Sequence, residues 1–314
     1  MMLRDELLAV RAAELYYDEN KTQDEIGTLL NITRWKVGRL LSDAREQGII
    51  RIEIMHPRAR KLSLERELRD ATGLKAAIVV PADGDPDEVQ SRVALAAADF
   101  LTSLRPAPHT LGISWGRTLH EIAQSLRPGW ATDINVVQVN GGVSLNKRSS
   151  SAANTAVTIA QKGGGSATLL PSPAILEREE TKRAIEGDRA VAGVLDLGRS
   201  ASTHLFSAGL ASPASVLVES GYLSSDDVAE LVRKGAVGDV VGRYIDADGN
   251  AVDPALERRT VGIELAELRS VPVSIAVIAG TQKHAICRAV VASGLCSVLV
   301  TDEENARSLL GRPA

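Results

Sequence analysis

The sequence predicts a small helical module followed by a large α/β domain built on a mostly parallel sheet. Two observations carry this. The first sixty residues hold three helical segments separated by capping residues and a tight turn, and close on a β-branched run. From about residue 73, apolar runs of strand length alternate with longer amphipathic segments, the pattern of a sheet covered by helices on both faces. A chain of 314 residues has room for both parts. The boundaries read as 1–56 for the module, 57–72 for a charged linker helix, and 73–314 for the large domain.

Leu3, Leu7, Leu8, Val10, Leu15 and Tyr16 keep helical spacing, so residues 4–18 read as an amphipathic helix. Thr22 stands three residues before Glu25, a capping box that opens a second, short helix running to Leu30. Asn31-Ile32-Thr33 form a tight turn, and Thr33 caps a third helix from Arg34 to Gln47, stopped by Gly48. Ile26, Leu30, Val37, Leu40 and Leu41 can face inward together, with Gly27 small where two helices must meet. Ile49 to Ile54 alternates and reads as a strand.

Two helices joined by a short turn, the second one basic at its start, make a helix-turn-helix, and the strand after it a wing. Thr33, Arg34, Trp35, Lys36 and Arg39 project from the first turns of the third helix, the part that enters a major groove. Arginine can read guanine bidentately and lysine can hold phosphates. Thr22 and Gln23, at the start of the second helix, are placed for backbone phosphates. Trp35 has two readings, a base or ribose contact or a cover for the core edge.

Charge distribution supports this division. The net charge is −4, yet residues 31–61 hold eight basic against three acidic residues, a local +5. Arg58, Arg60 and Lys61 belong to that stretch and could touch flanking DNA. One basic segment in an acidic protein is the footprint of a single module meeting phosphates.

Other classes are poorly served. The sequence has no apolar run of about 18 residues, the length a membrane span requires, and its charged N-terminus is not a signal peptide. Cys287 and Cys296 form neither a disulfide framework nor a zinc pattern, which fits a reducing cytoplasm. His56, His109, His120, His204 and His284 show no metal-ligand spacing, and no cofactor motif is present. Gly112-Ile113-Ser114-Trp115-Gly116 matches a nucleophile elbow only superficially.

In parallel sheets, ligands sit at the C-terminal ends of strands. The strand over Thr110–Ile113 runs into Ser114-Trp115-Gly116-Arg117-Thr118 and then a helix. Small residues, hydroxyls, a helix N-terminus and a fixed cation together suit an anion. The next strand ends Gln138-Val139-Asn140-Gly141-Gly142, again placing polar groups and glycines at a strand end. Lys283, in Gly280-Thr281-Gln282-Lys283, lies in a helix's first turn, where a cation opposes the dipole unless an anion is bound. Asp246, near Gly242-Arg243-Tyr244-Ile245, could accept sugar hydroxyls.

These segments resemble, over nearly the whole chain, the SorC/DeoR-type sugar-binding transcriptional regulators. The resemblance is carried by Thr22-Gln23-Asp24-Glu25-Ile26, Val37-Gly38-Arg39-Leu40-Leu41, Gly112 to Thr118, Gln138 to Gly142, Gly238-Asp239-Val240-Val241-Gly242 with Asp246, and Gly280 to Lys283. It implies a winged helix-turn-helix joined to a doubly wound domain similar to ribose-phosphate isomerases and glucosamine-phosphate deaminases, without their catalysis. It implies homo-oligomers, dimers or commonly tetramers, on double-stranded operator DNA of a carbohydrate operon, controlled by a sugar phosphate, sugar or polyol. By the same likeness, Gly112, Ser114, Gly116, Arg117, Thr118 and Lys283 surround the phosphate, and Gln138, Asn140, Gly141, Gly142, Asn154 and Asp246 the sugar. Some relatives place Lys or Arg where Asn140 stands, so a covalent imine or a bisphosphate is disfavoured here. The alternative is a sugar-phosphate isomerase or deaminase with an appended DNA-binding head; against it, no Asp or Glu lies in Gly112 to Thr118.

Overall fold

The computed structural model describes residues 3–50, 56, 58–143 and 152–312. The chain divides into two compact units, Met1–His56 and Pro57–Ala314.

The first unit contains α1 (Leu3–Tyr17), α2 (Gln23–Leu30) and α3 (Arg34–Glu46). Thr22 and Glu25 form the reciprocal cap: the Thr22 hydroxyl accepts from Glu25 N at 3.3 Å, and Glu25 accepts from Thr22 N at 2.8 Å. Asn31 ends α2 in the left-handed conformation, and the Thr33 hydroxyl accepts from Lys36 N at 3.2 Å to open α3. Ala12, Leu15, Ile26, Val37 and Leu41 are buried together, joined by Leu40 and Ala44. The inward set read from spacing is therefore the core, with Leu30 packed at its margin. The wing strand expected over 49–54 falls mostly on residues 51–55, outside the described residues.

Gly27 sits where α2 meets the turn. A Cβ there would lie 2.8 Å from the Ile32 carbonyl oxygen and 3.3 Å from Arg34 N, both backbone atoms that cannot step aside. Gly27→Val is expected to destabilise this unit by about 2 kcal/mol or more, since overpacking a fixed backbone has no cheap relaxation. Calorimetry of the full chain should show the small unit's transition lowered and the large unit's unmoved.

In the second unit, α4 (Leu62–Thr72) precedes β1 (Ala76–Val80), α5 (Pro86–Ser103), β2 (Thr110–Ile113), α6 (Arg117–Ser125), β3 (Asn135–Gln138), α7 (Ala152–Lys162) and β4 (Ser166–Thr168). There follow β5 (Thr203–Gly209), β6 (Gly238–Val240), β7 (Arg243–Ile245), β8 (Val273–Ile278) and β9 (Val298–Asp302). The parallel order is β1-β9-β8-β5-β2-β3-β4, and β6 pairs antiparallel with β5 and β7. Successive residues alternate between two cores. On β1, Ala77 and Val79 join one with Phe206, Ile286 and Leu299, while Ile78 and Val80 join the other with α5, α6 and α7. Both sheet faces are apolar and covered, as a doubly wound fold requires.

The order fixes where a ligand can sit. After β2 the chain moves to β3 and β4 on one side; after β5 it moves to β8 and β9 on the other. β2 and β5 are neighbours, so their C-terminal ends diverge from one point and leave a crevice.

The linker expectation is corrected. Helix α4 packs on β1 through Leu64 and Leu68, and the buried Glu65 accepts from Val79 N at 3.0 Å, so the segment is part of the large unit. Arg58, Arg60 and Lys61 are spoken for there as well. They pair within that unit with Asp99 at 2.6 Å, Glu65 at 2.6 Å and Glu303 at 3.0 Å.

Candidate functional site

The outer face of α3 is basic and open. Among the described residues, Arg34 and Lys36 hold only exposed pairs, with Asp24 and Asp5, both at 3.5 Å. Such pairs contribute little and exchange readily for phosphates. Trp35 is exposed, so it does not cover the core, and Arg39 lies against its ring. Gln23 projects from α2 across Gly38. The hydroxyls of Thr22 and Thr33 serve as caps, which sets the first turns of α2 and α3 at the face.

The crevice between β2 and β5 is a cavity of about 240 Å³. One wall is the loop after β2. Ser114 is buried, with its N–H donating to the Leu205 carbonyl at 3.2 Å, and Gly116 is the N-cap of α6 with no side-chain cap. The first N–H groups of α6 therefore face the cavity end of the helix without a capping side chain, an anion-receptive arrangement. The Thr118 hydroxyl accepts from Gln90 at 2.9 Å and lies 3.4 Å from Ser207 on β5. Trp115 turns inward and donates to the Gly141 carbonyl at 2.8 Å, which ties the β2 loop to the β3 loop.

Lys283 and Asp239 complete the lining. Gly280, which begins the Lys283 turn, is held by Asp302: its N–H donates to that buried carboxylate at 2.7 Å, and Asn305 donates to its carbonyl at 3.1 Å. Burial pulls the Lys283 ammonium below the usual lysine range; Asp239 opposes this and the charge of Arg117 adds to it. Burial pushes the Asp239 carboxyl up to about 6, against the Gly242 N–H and Lys283. Two cations beside one carboxyl leave room for an anion that relieves their repulsion. A second cavity of about 490 Å³ shares Arg117, Thr118, Gln282 and Lys283 and extends toward Asp87 and Glu121.

The family described as "Putative sugar-binding domain" matches residues 56–311. The chain belongs to this sugar-binding domain family. Among its relatives, the deoxyribonucleoside regulator of Bacillus subtilis is 31% identical over 304 residues, 96% of this chain and 97% of that protein. The erythritol catabolism regulatory protein EryD of Brucella abortus is 29% identical over 313 residues, 98% of each chain. Among solved structures, the full-length sorbitol operon regulator SorC of Klebsiella pneumoniae superposes with a TM-score of 0.73 at 28% identity, covering 97% of this chain and 98% of that one. These relatives are DeoR/SorC-type transcriptional regulators, not enzymes.

Within this sugar-binding domain, the structure gathers some expected site residues and disperses others. Ser114, Gly116, Arg117, Thr118 and Lys283 line one cavity. Gly112 does not: it is buried mid-strand, and a Cβ would lie 2.4 Å from the His204 ring, so it serves packing. Asp246 is also corrected, because its carboxylate accepts from Asp248 N at 3.0 Å and Asn250 N at 2.9 Å and so closes a turn. Asp239, seven residues earlier, is the carboxyl in the crevice. Gln138, Asn140, Gly141 and Gly142 lie at the end of β3, outside both cavities described. Gln138 donates to the Asn140 carbonyl at 2.8 Å, and the buried Asn140 amide has no partner on either atom among the described residues. Asn154 is exposed on α7. Among the described residues no helix is long and apolar enough to cross a membrane, and no cluster of His, Cys, Asp or Glu could hold a metal.

Proposed function

We propose that the protein binds operator DNA through α3 and releases or engages it in response to a sugar phosphate, sugar or polyol held in the β2/β5 crevice. The observation that carries this reading is the convergence of Arg117, Lys283, the uncapped start of α6 and Asp239 on one cavity at the switch point of the sheet. The cations and helix N-terminus take a phosphate or other anionic end, Ser114 and Thr118 add hydroxyl contacts, and Asp239 accepts sugar hydroxyls. Asn140, whose amide has no partner among the described residues, is a further hydrogen-bonding group, and Gln138, Gly141 and Gly142 stand with it at the end of β3, where Gly141 accepts from Trp115 of the crevice. On the DNA side, Arg34, Trp35, Lys36 and Arg39 meet the groove, and Thr22, Gln23 and Thr33 the flanking phosphates. The chain acts as a cytoplasmic homo-oligomer, a dimer or tetramer, in which effector binding shifts the population between packings that space the paired α3 helices differently.

The test has two arms. Duplexes selected from a genomic library should bind the full chain, and thermal unfolding should shift with a sugar phosphate or polyol. Arg34→Ala should weaken the selected operator by roughly 10- to 100-fold and leave the ligand-induced shift as in the parent. A protein that ignores every duplex at low salt, or an Arg34→Ala variant that loses only ligand response, overturns the division of labour.

A further inference from the structure

Trp35 is the most exposed large apolar side chain among the described residues, 74% open to solvent. It is the second residue of α3, and one turn on Arg39 lays its guanidinium over the indole, 5.5 Å from the ring centroid. Gln23 reaches in from α2 across Gly38, where no side chain intervenes. Gln23, Arg34, Trp35, Gly38 and Arg39 line a shallow concavity of about 420 Å³ that is basic and apolar at once.

We propose that Trp35 and Arg39 read a thymine–guanine step in the major groove as one unit, the indole against the thymine 5-methyl and the guanidinium on guanine O6 and N7. The inference rests on the DNA-binding reading above and adds what that reading lacks, the bases recognised. An exposed indole leaves its apolar area in water until it meets another apolar group, and the thymine methyl is the apolar feature that base edges offer in the major groove. The surrounding arginines make duplex DNA, rather than an apolar peptide, the complementary occupant. Stacking on Trp35 restricts the Arg39 side chain before contact, so its bidentate fork meets guanine with less entropy to lose. Because the two side chains touch, the bases they read are neighbours.

Operators selected from a random duplex library with the full-length protein should carry a thymine beside a guanine in each half-site. Replacing that thymine by deoxyuridine removes one methyl and should weaken the parent by about fourfold per half-site. Trp35→Ala, which leaves the buried Ile26, Val37 and Leu41 untouched, should bind the uracil and thymine duplexes equally. Arg39→Lys should keep the thymine preference and lose discrimination at the guanine, since lysine cannot make the bidentate contact. Equal affinity of the parent for thymine and uracil duplexes, or the same uracil penalty in Trp35→Ala, overturns the proposal while leaving DNA binding standing. Failure to select any duplex overturns the DNA-binding reading itself.

Discussion

Lys283→Met is expected to abolish the response to a sugar phosphate while operator affinity stays within about twofold, because methionine keeps the length of the stem and removes only the charge. Lys283 lines the same cavity as Arg117, half-buried, with its ammonium already disfavoured by burial. A cation held in that state gains more from an incoming anion than one in water does. A hydrogen bond to a charged group contributes roughly 1.5–3 kcal/mol, so its loss should weaken the effector by about 10- to 150-fold. The consequence for unfolding is large. A ligand present at 100 times its dissociation constant stabilises by about 2.7 kcal/mol, and after a hundredfold weakening by only about 0.4 kcal/mol. Thermal unfolding with and without the sugar phosphate, beside an operator titration, gives both numbers. An undiminished ligand shift in Lys283→Met would remove the lysine from the site; a lost operator would mean that it acts through folding instead.

Contiguous signals were legible in the sequence and assembled ones were not. The caps at Thr22 and Thr33, the inward set of α2 and α3, and the strand β2 depend on neighbours in sequence, and the structure has them where the pattern put them. The loop from Ser114 to Thr118 was legible for the same reason. Asp239 was not. It reaches the crevice because β6 folds back antiparallel on the end of β5, pairing Gly209 with Asp239, and a Cβ at 209 would lie 2.0 Å from its carboxylate. The signal was the pairing of a glycine at one strand end with an acid thirty residues on, which no local window contains. Asp246 follows β7 and its carboxylate could have met sugar hydroxyls, but it closes the turn that runs to Gly249 and Asn250.

The helix over Arg189–Ser200 was similarly hidden, since Gly193 and Gly198 lower its propensity; Gly198 is small where the helix passes Val137 on β3 and Val139 just beyond it. The basic run at 58–61 misled for a different reason. Its charge is real, but Asp99, Glu65 and Glu303 neutralise it within the large unit. Asp239 also bears on the isomerase alternative. The carboxyl that the Gly112–Thr118 loop lacks is present in the crevice, so its absence from the loop is no argument against catalysis. What decides that point is the family's membership, in which the relatives are named regulators.

Asp239→Asn should stabilise the ligand-free protein above pH 6 and weaken its effector, and the pH dependence is what identifies the cause. Burial raises the Asp239 carboxyl from 3.8 to about 6, the Gly242 N–H and Lys283 opposing. A raised folded-state value means that the native protein holds the proton more tightly than the unfolded chain. The stability this contributes is complete below about pH 4 and is lost as pH rises through 6. At pH 8 the parent therefore carries a buried carboxylate whose ionisation costs on the order of 2–3 kcal/mol. Asparagine stays neutral, and its side-chain oxygen can still accept from Gly242 N, which donates to Asp239 at 3.2 Å in the parent. Urea unfolding should show the variant little changed near pH 4 and clearly more stable at pH 8. The same substitution removes a charged acceptor from the cavity, so sugar binding should fall by about tenfold or more. A gain of equal size near pH 4 and at pH 8 would assign the effect to packing, and no gain at pH 8 would mean that Asp239 is already neutralised in the native state. The combination of a stabler protein and a weaker sensor is the mark of a group kept at a cost to folding because the ligand needs it.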